Sequence, residues 1–172
     1  FPTNHVTAGD RICAGTYLAA VAASGGEIEI TGVEPVVLVE PLKALRKMGA
    51  GLRIFGAAGP KARIRMVMER RPAGITIDTG PYPGFPTDLQ SVFLAAEASG
   101  TGESQIRETV YEARFEAAVR LASFGADVSV HGDTAIIKGR YPLLPGVVET
   151  PDLRGGAALL VAALSADGLS VV

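Results

Sequence analysis

The sequence predicts a mixed α/β fold, helices and strands alternating along the chain, assembled from repeated units. Three observations carry this prediction. Residue pairs recur at a fixed offset of 76 positions: Gly26-Glu27 at Gly102-Glu103, Gly49-Ala50 at Gly125-Ala126, and Leu45 at Leu121. Helical and strand periodicities alternate between these landmarks. The 21 glycines and 11 prolines are scattered between the periodic segments, so they punctuate short elements. A third copy starts late. Pro151-Asp152-Leu153 echoes Pro86-x-Asp88-Leu89, and Gly168 follows Asp152 at the interval by which Gly26 follows Asp10. The repeats then fall at about 10–70, 75–140 and 147–172 of one domain covering residues 1–172.

In the first copy, Thr16–Ala23 reads as a helix, and Glu27–Thr31 alternates as a strand through Ile28 and Ile30. Leu38, Leu42 and Leu45 mark a second helix, in which Pro41 is tolerable only in the first turn. In the second copy, Leu89, Val92, Phe93 and Ala96 form one helical stripe. Phe115, Ala118, Val119 and Ala122 form another, with Gly125 as a left-handed stop. Asp127–Val130 and Ala135–Lys138 flank His131-Gly132-Asp133-Thr134, a hairpin turn. The third copy gives a helix at about Leu153–Ala166, then Leu169–Val172, and lacks a second helix and closing hairpin. That predicts an exposed apolar face, an unpaired strand edge and self-association, as in part of a larger protein.

Composition excludes several classes. At 172 residues, with 48% apolar and 20% charged side chains, the chain is globular. A net charge of −2 gives no electrostatic case for nucleic acid or an anionic membrane. Apolar runs at Tyr17–Ala23 and Gly155–Leu164 fall far short of the roughly 20 residues that span a bilayer. No leader is visible, and one cysteine, Cys13, excludes an internal disulfide and fits a reducing cytoplasm.

The segment Thr79-Gly80-Pro81-Tyr82-Pro83-Gly84-Phe85-Pro86-Thr87-Asp88-Leu89-Gln90 concentrates the chemical signal. Prolines stiffen an approach that ends on a carboxylate at a helix start. Thr87 or Asp88 is a natural helix cap, and Asp88 on such a corner can equally receive a proton or orient a hydroxyl.

This segment, together with Asp10-Arg11-Ile12, Ala14-Gly15-Thr16-Tyr17, Leu45–Ala50, Glu108-Thr109-Val110-Tyr111-Glu112-x-Arg114-Phe115 and Asp152-Leu153-Arg154, resembles the enolpyruvyl transferases. The likeness is greatest to the branch that uses UDP-N-acetylglucosamine. The strings Pro-Tyr-Pro-x-Phe-Pro-Thr-Asp and Glu-Thr-Val-Tyr-Glu-x-Arg-Phe are the specific part of the resemblance. It implies an inside-out α/β barrel of repeated βαβαββ-type units, one of two such domains with the active site in the cleft between them. It implies transfer of the enolpyruvyl group of phosphoenolpyruvate to the sugar 3-hydroxyl, the first committed step of peptidoglycan synthesis in the cytoplasm. Position by position, Asp88 would act on that hydroxyl and Val110 would meet the nucleotide-sugar through its backbone. Arg154 and Arg114 would face anionic groups. No cofactor or metal is implied, and the partners are the two substrates and the second domain. The family's loop cysteine (or aspartate) and its Lys-Asn pair do not occur here, so the chain alone is expected to be inactive.

Two departures stand out. Ala113 replaces the usual Asn, and Gly155-Gly156 replaces Ala-Ser, which loosens a helix start by roughly 1 kcal/mol per glycine. They leave room for a non-catalytic binding module of the same fold. The shikimate-pathway enolpyruvyl transferase is the sibling reading, disfavoured by the aromatic-proline approach to Asp88 and by the Glu-Thr-Val-Tyr string. Among other candidates, Cys13 reads as a partly buried structural thiol. His5 and His131 lack metal-ligating neighbours in sequence. Arg63-x-Arg65 and Arg70-Arg71 read as a solvated strand and loop, and Gly80–Gly84 lacks the phosphate-loop arrangement.

Overall fold

The computed structural model describes residues 2–5, 7–56, 59, 61–111, 114–150 and 152–172. Glu112, Ala113 and Pro151, on which part of the motif reading rests, lie outside the described residues.

Helix α1 (Arg11–Ser24) starts five residues before the expected Thr16, because Asp10 caps it. Its Oδ1 accepts from the amides of Ile12 at 2.7 Å and Cys13 at 3.2 Å. Strand β1 (Gly26–Thr31) follows, then a 3-10 turn at Pro35–Leu38 leading into α2 (Val39–Lys47), where Pro41 sits in the first turn as expected. Strands β2 (Gly51–Phe55) and β3 (Arg63–Met68) complete a three-stranded antiparallel sheet in the order β1-β3-β2. Along β3, Ile64, Met66 and Met68 point into the core and Arg63 points outward, as the two-residue period of a strand requires.

Strand β4 (Thr76–Asp78), helix α3 (Thr87–Ala98) and strand β5 (Glu103–Arg107) make a parallel crossover. A short α4 (Glu116–Arg120) tightens into a 3-10 turn at Leu121–Phe124, and β6 (Asp127–His131) and β7 (Thr134–Lys138) form the expected hairpin. Its two-residue turn, Gly132-Asp133, places Gly132 at φ 61°. The second sheet runs β4-β5-β7-β6, so β5-β7-β6 reproduces the order β1-β3-β2 of the first. Gly125 ends the α4 segment at φ 73°, also as expected.

Helix α5 (Leu153–Ala163) closes the described chain. It ends three residues before the expected Ala166, and Leu169–Val172 forms only a single bridge, between Val147 and Val171.

The core is organised around α3, which packs against both α1 and α5. Every residue from Leu89 to Ala98 is buried, so the helix lacks a solvent face and its stripe of four understates its burial. Gly15 lets α1 approach closely: a Cβ there would sit 2.4 Å from Leu89 Cδ1. The three helix ends converge as well. The hydroxyls of Ser99 and Ser165 both donate to the carbonyl of Ala23, at 3.0 and 2.9 Å, giving buried polar groups partners.

Two expectations are corrected. The buried face of α4 is Ala117, Ala118, Leu121 and Phe124, whereas Val119 is 64% exposed, because Ala117, Leu121 and Phe124, spaced four and three apart, set the inward face and Val119 falls opposite it. Cys13 is exposed, since the inward face of α1 begins at Ala14. Arg71 is an exposed loop residue, as expected, and it also makes specific contacts. Its guanidinium donates to the carbonyls of Ser99 and Gly100 and lies over the Tyr141 ring.

Candidate active site

The Pro-rich approach to α3 is pinned at both ends. Thr79 bridges Phe85, the Gly80 amide donates to the Phe85 carbonyl at 2.9 Å, and Gly84 donates to Pro81 at 2.7 Å. Phe85 is buried and meets Phe93 of α3 edge-to-face at 5.0 Å, which fixes the loop to the core. Tyr82 projects from the turn, and Arg11 lies over its ring. A shallow cleft bounded by Arg11, Val36, Val39, Glu40, Tyr82 and Pro83 borders the same loop, and Asp88 is not part of its wall.

Asp88 is not the helix cap. Pro86 occupies that position in an extended conformation, without a side-chain hydrogen bond, and Thr87 begins the helix. Asp88 therefore sits in the first turn, where a negative charge suits the helix dipole. Its carboxylate turns to two cations. Arg114 Nη1 donates to Oδ1 at 2.9 Å and Arg154 Nη2 donates to Oδ2 at 3.0 Å. Arg154 lies in the first turn of α5, 66 residues away in sequence. Asp88, Arg114 and Arg154 are thus brought together, with the Asp88 side chain 35% exposed. Burial pushes the Asp88 carboxyl upward, but the Arg114 hydrogen bond and the charges of Arg154 and Arg114 outweigh it and hold it below the usual carboxylate range.

Glu108, at the end of β5, is the residue that sequence reading left without a role. It is 5% exposed, and both oxygens accept. Oε1 takes Thr79 Oγ1 at 2.7 Å and the amides of Val110 and Tyr111 at 2.8 and 3.0 Å. Oε2 takes Thr87 Oγ1 at 2.7 Å. Burial raises its carboxyl, and the four donors more than reverse that, leaving it lowered. A glutamate ending a strand of alternating burial, opposite two threonines that bracket the Pro-rich loop, was the available signal.

Val110 is placed beside this cluster, with its amide donating to Glu108. Arg114 stacks over the Tyr111 ring at 4.7 Å. Among the described residues no group of His, Cys, Asp and Glu could hold a metal ion, and no helix is long and apolar enough to cross a membrane. The arrangement offers an ionised acceptor beside two cations. It can orient a hydroxyl and meet anions on the same small surface.

Comparison with known proteins agrees on the family. Residues 2–172 match the family model described as EPSP synthase (3-phosphoshikimate 1-carboxyvinyltransferase). The chain is 41% identical over 163 residues to UDP-N-acetylglucosamine 1-carboxyvinyltransferase of Thermotoga maritima, covering 95% of this chain and 38% of that protein. It is 44% identical over 164 residues to the protein of the same name from Coprothermobacter proteolyticus, again covering 95% and 38%. The chain thus spans under two fifths of the length of the curated relatives it matches. Among solved structures, the enolpyruvyl transferase NikO from Streptomyces tendae matches with a TM-score of 0.75 at 26% identity, covering 91% of this chain and 37% of that one. EPSP synthase from Acinetobacter baumannii matches at 0.69 and 19% identity, a likeness of fold, covering 91% and 39%.

Proposed function

From the premise that this chain belongs to the EPSP synthase (3-phosphoshikimate 1-carboxyvinyltransferase) family, we propose that it forms part of an enzyme moving the enolpyruvyl group of phosphoenolpyruvate to the 3-hydroxyl of UDP-N-acetylglucosamine. Phosphate would be released, in the cytoplasm, at the first committed step of peptidoglycan synthesis. The names of the relatives at 41% and 44% identity support the nucleotide-sugar over 3-phosphoshikimate. The pairing of Asp88 with Arg114 and Arg154 carries the reading.

The hydroxyl oxygen adds to C2 of phosphoenolpyruvate as a proton reaches C3; then C3 loses a proton, phosphate leaves C2, and the double bond re-forms. Such chemistry needs an acceptor at the hydroxyl and cations over phosphate and carboxylate. Asp88 supplies the first, and Arg114 and Arg154 some of the second. Held by both arginines, Asp88 is a weak base. Substrate anions that draw the guanidiniums away would restore its basicity as the hydroxyl arrives. Val110 would meet the nucleotide-sugar through its backbone. The acid at C3 comes from a second domain of the full-length protein.

The two sheets and the three helices packed around α3 also support reading the fold as an inside-out α/β barrel of βαβαββ-type units at about 10–70, 75–140 and 147–172.

Phosphate release by the full-length protein tests the function. Release from phosphoenolpyruvate with UDP-N-acetylglucosamine, and not with 3-phosphoshikimate, supports it. Binding of the nucleotide-sugar without release would favour a non-catalytic module, and release with 3-phosphoshikimate alone would favour the sibling enzyme.

A further inference from the structure

We propose that Glu108 is a positioning residue whose buried carboxylate, acting through the Thr87 hydroxyl and the Tyr111 backbone, fixes the Arg114 guanidinium against Asp88. The inference rests on the reading of Asp88 as the group that handles the sugar hydroxyl.

Two routes run from Glu108 to Arg114. In the first, Thr87 Oγ1 donates to Glu108 Oε2 at 2.7 Å and accepts from Arg114 Nη1 at 3.1 Å. The same nitrogen donates to Asp88 Oδ1 at 2.9 Å. Because the threonine proton is committed to Glu108, the hydroxyl presents a lone pair to the arginine, and its donor sense is set. In the second, Glu108 Oε1 accepts from the Tyr111 amide at 3.0 Å, and the Tyr111 ring lies under the Arg114 guanidinium at 4.7 Å. The support extends backwards too. Thr79 donates to Oε1, accepts from the Thr109 amide at 2.8 Å, and its carbonyl accepts from Thr109 Oγ1 at 2.6 Å. The ends of β4 and β5 and the start of α3 thus meet on one carboxylate.

Only an ionised carboxylate satisfies this set, since all four partners donate. A glutamine would turn an amide donor toward at least one of them. If that donor faces Thr87, the threonine proton is freed to turn on Arg114 or Asp88, and the pairing loosens. Arg114 drawn off Asp88 lets the Asp88 carboxyl titrate higher.

The test uses the full-length protein with Glu108→Gln, Thr87→Val, Thr87→Ser and Asp88→Asn. Thr87→Val should lower kcat with little change in the KM for UDP-N-acetylglucosamine, by up to about a hundredfold for a misplaced group, and Thr87→Ser should restore it. Glu108→Gln should affect both parameters, because it also holds Val110. In Glu108→Gln and Thr87→Val, the acid limb of the kcat/KM profile and the carboxyl NMR titration of Asp88 should both move to higher pH. If folded Thr87→Val leaves the Asp88 titration unmoved, or Thr87→Ser performs no better than Thr87→Val, the relay is wrong and Glu108 is only a structural staple. The NMR reading needs no turnover, so it separates this outcome from failure of the site itself, which normal turnover by Asp88→Asn would reveal.

Discussion

The hydroxyl of Thr87 lies 2.7 Å from Oε2 of Glu108, so the first residue of α3 is tied to a buried acid at the end of β5 and not to its own helix. That bond leaves the next residue, Asp88, free to face Arg114 and Arg154.

Stability should be insensitive to the Asp88 pairing. Both ion pairs are partly exposed and screened, and pairs of this kind contribute roughly 0–1 kcal/mol. Asp88→Asn is expected to unfold in urea within about 1 kcal/mol of the parent. A loss several times larger would mean that the pair is a structural clamp.

Glu97 gives the fold a weakness toward neutral pH. It is 1% exposed, accepts from Ser104 Oγ at 2.6 Å, and burial pushes its carboxyl up to about 7 from 4.5. A carboxyl raised by folding stabilises fully below its unfolded value, and that contribution is lost as pH rises through the folded one. Stability should therefore fall between about pH 4.5 and 7, by on the order of 3 kcal/mol. Glu97→Gln should flatten that fall. Glu108 and Asp88, both lowered, act oppositely: their contribution is present above the unfolded value and lost as pH falls through the folded one. Urea midpoints across pH for parent and Glu97→Gln check the sign.

Gly15→Ala should destabilise, although alanine is the better helix former. The new methyl would meet Leu89 Cδ1 at 2.4 Å, and Leu89 is fully buried. Overpacking of this kind costs about 1–3 kcal/mol, more than the roughly 1 kcal/mol of helix propensity gained. A double-mutant cycle with Leu89→Ala should show strong coupling, and additive effects would place the clash elsewhere.

Self-association should follow from the surface of α5. Leu153, Leu160 and Leu164 fall on one helical stripe and are 81%, 57% and 60% exposed, with Leu169 at 89% beyond the helix. Light scattering of the 172-residue chain should show a mass that rises with concentration, and Leu160→Glu with Leu164→Glu should suppress it. A monomer throughout would mean that this stripe is tolerated in water.

Local signals were legible where one short-range rule governs. The Gly132-Asp133 turn and the Gly125 stop are set by backbone conformations that neighbours do not override. The grouping of Asp88, Arg114 and Arg154 was reached through the family resemblance, because nothing local connects positions 88 and 154. What stayed hidden depends on packing between distant elements. Asp88 read as a cap because Pro86 is a poor cap by side chain, yet the proline fills that position with its backbone alone. The inward face of α4 is set by Ala117, Leu121 and Phe124 docking on the core, a choice that only tertiary packing makes. Glu108 looked like an ordinary strand-end acid, and only the fold brings two threonines and two amides to it.

The central claim, that Asp88 handles the hydroxyl, is tested most directly by turnover and nucleotide-sugar affinity of Asp88→Asn in the full-length protein. The expected result is a kcat lowered by about 10²–10⁴-fold, as for loss of a general base, with UDP-N-acetylglucosamine still bound. A kcat within tenfold of the parent would contradict it.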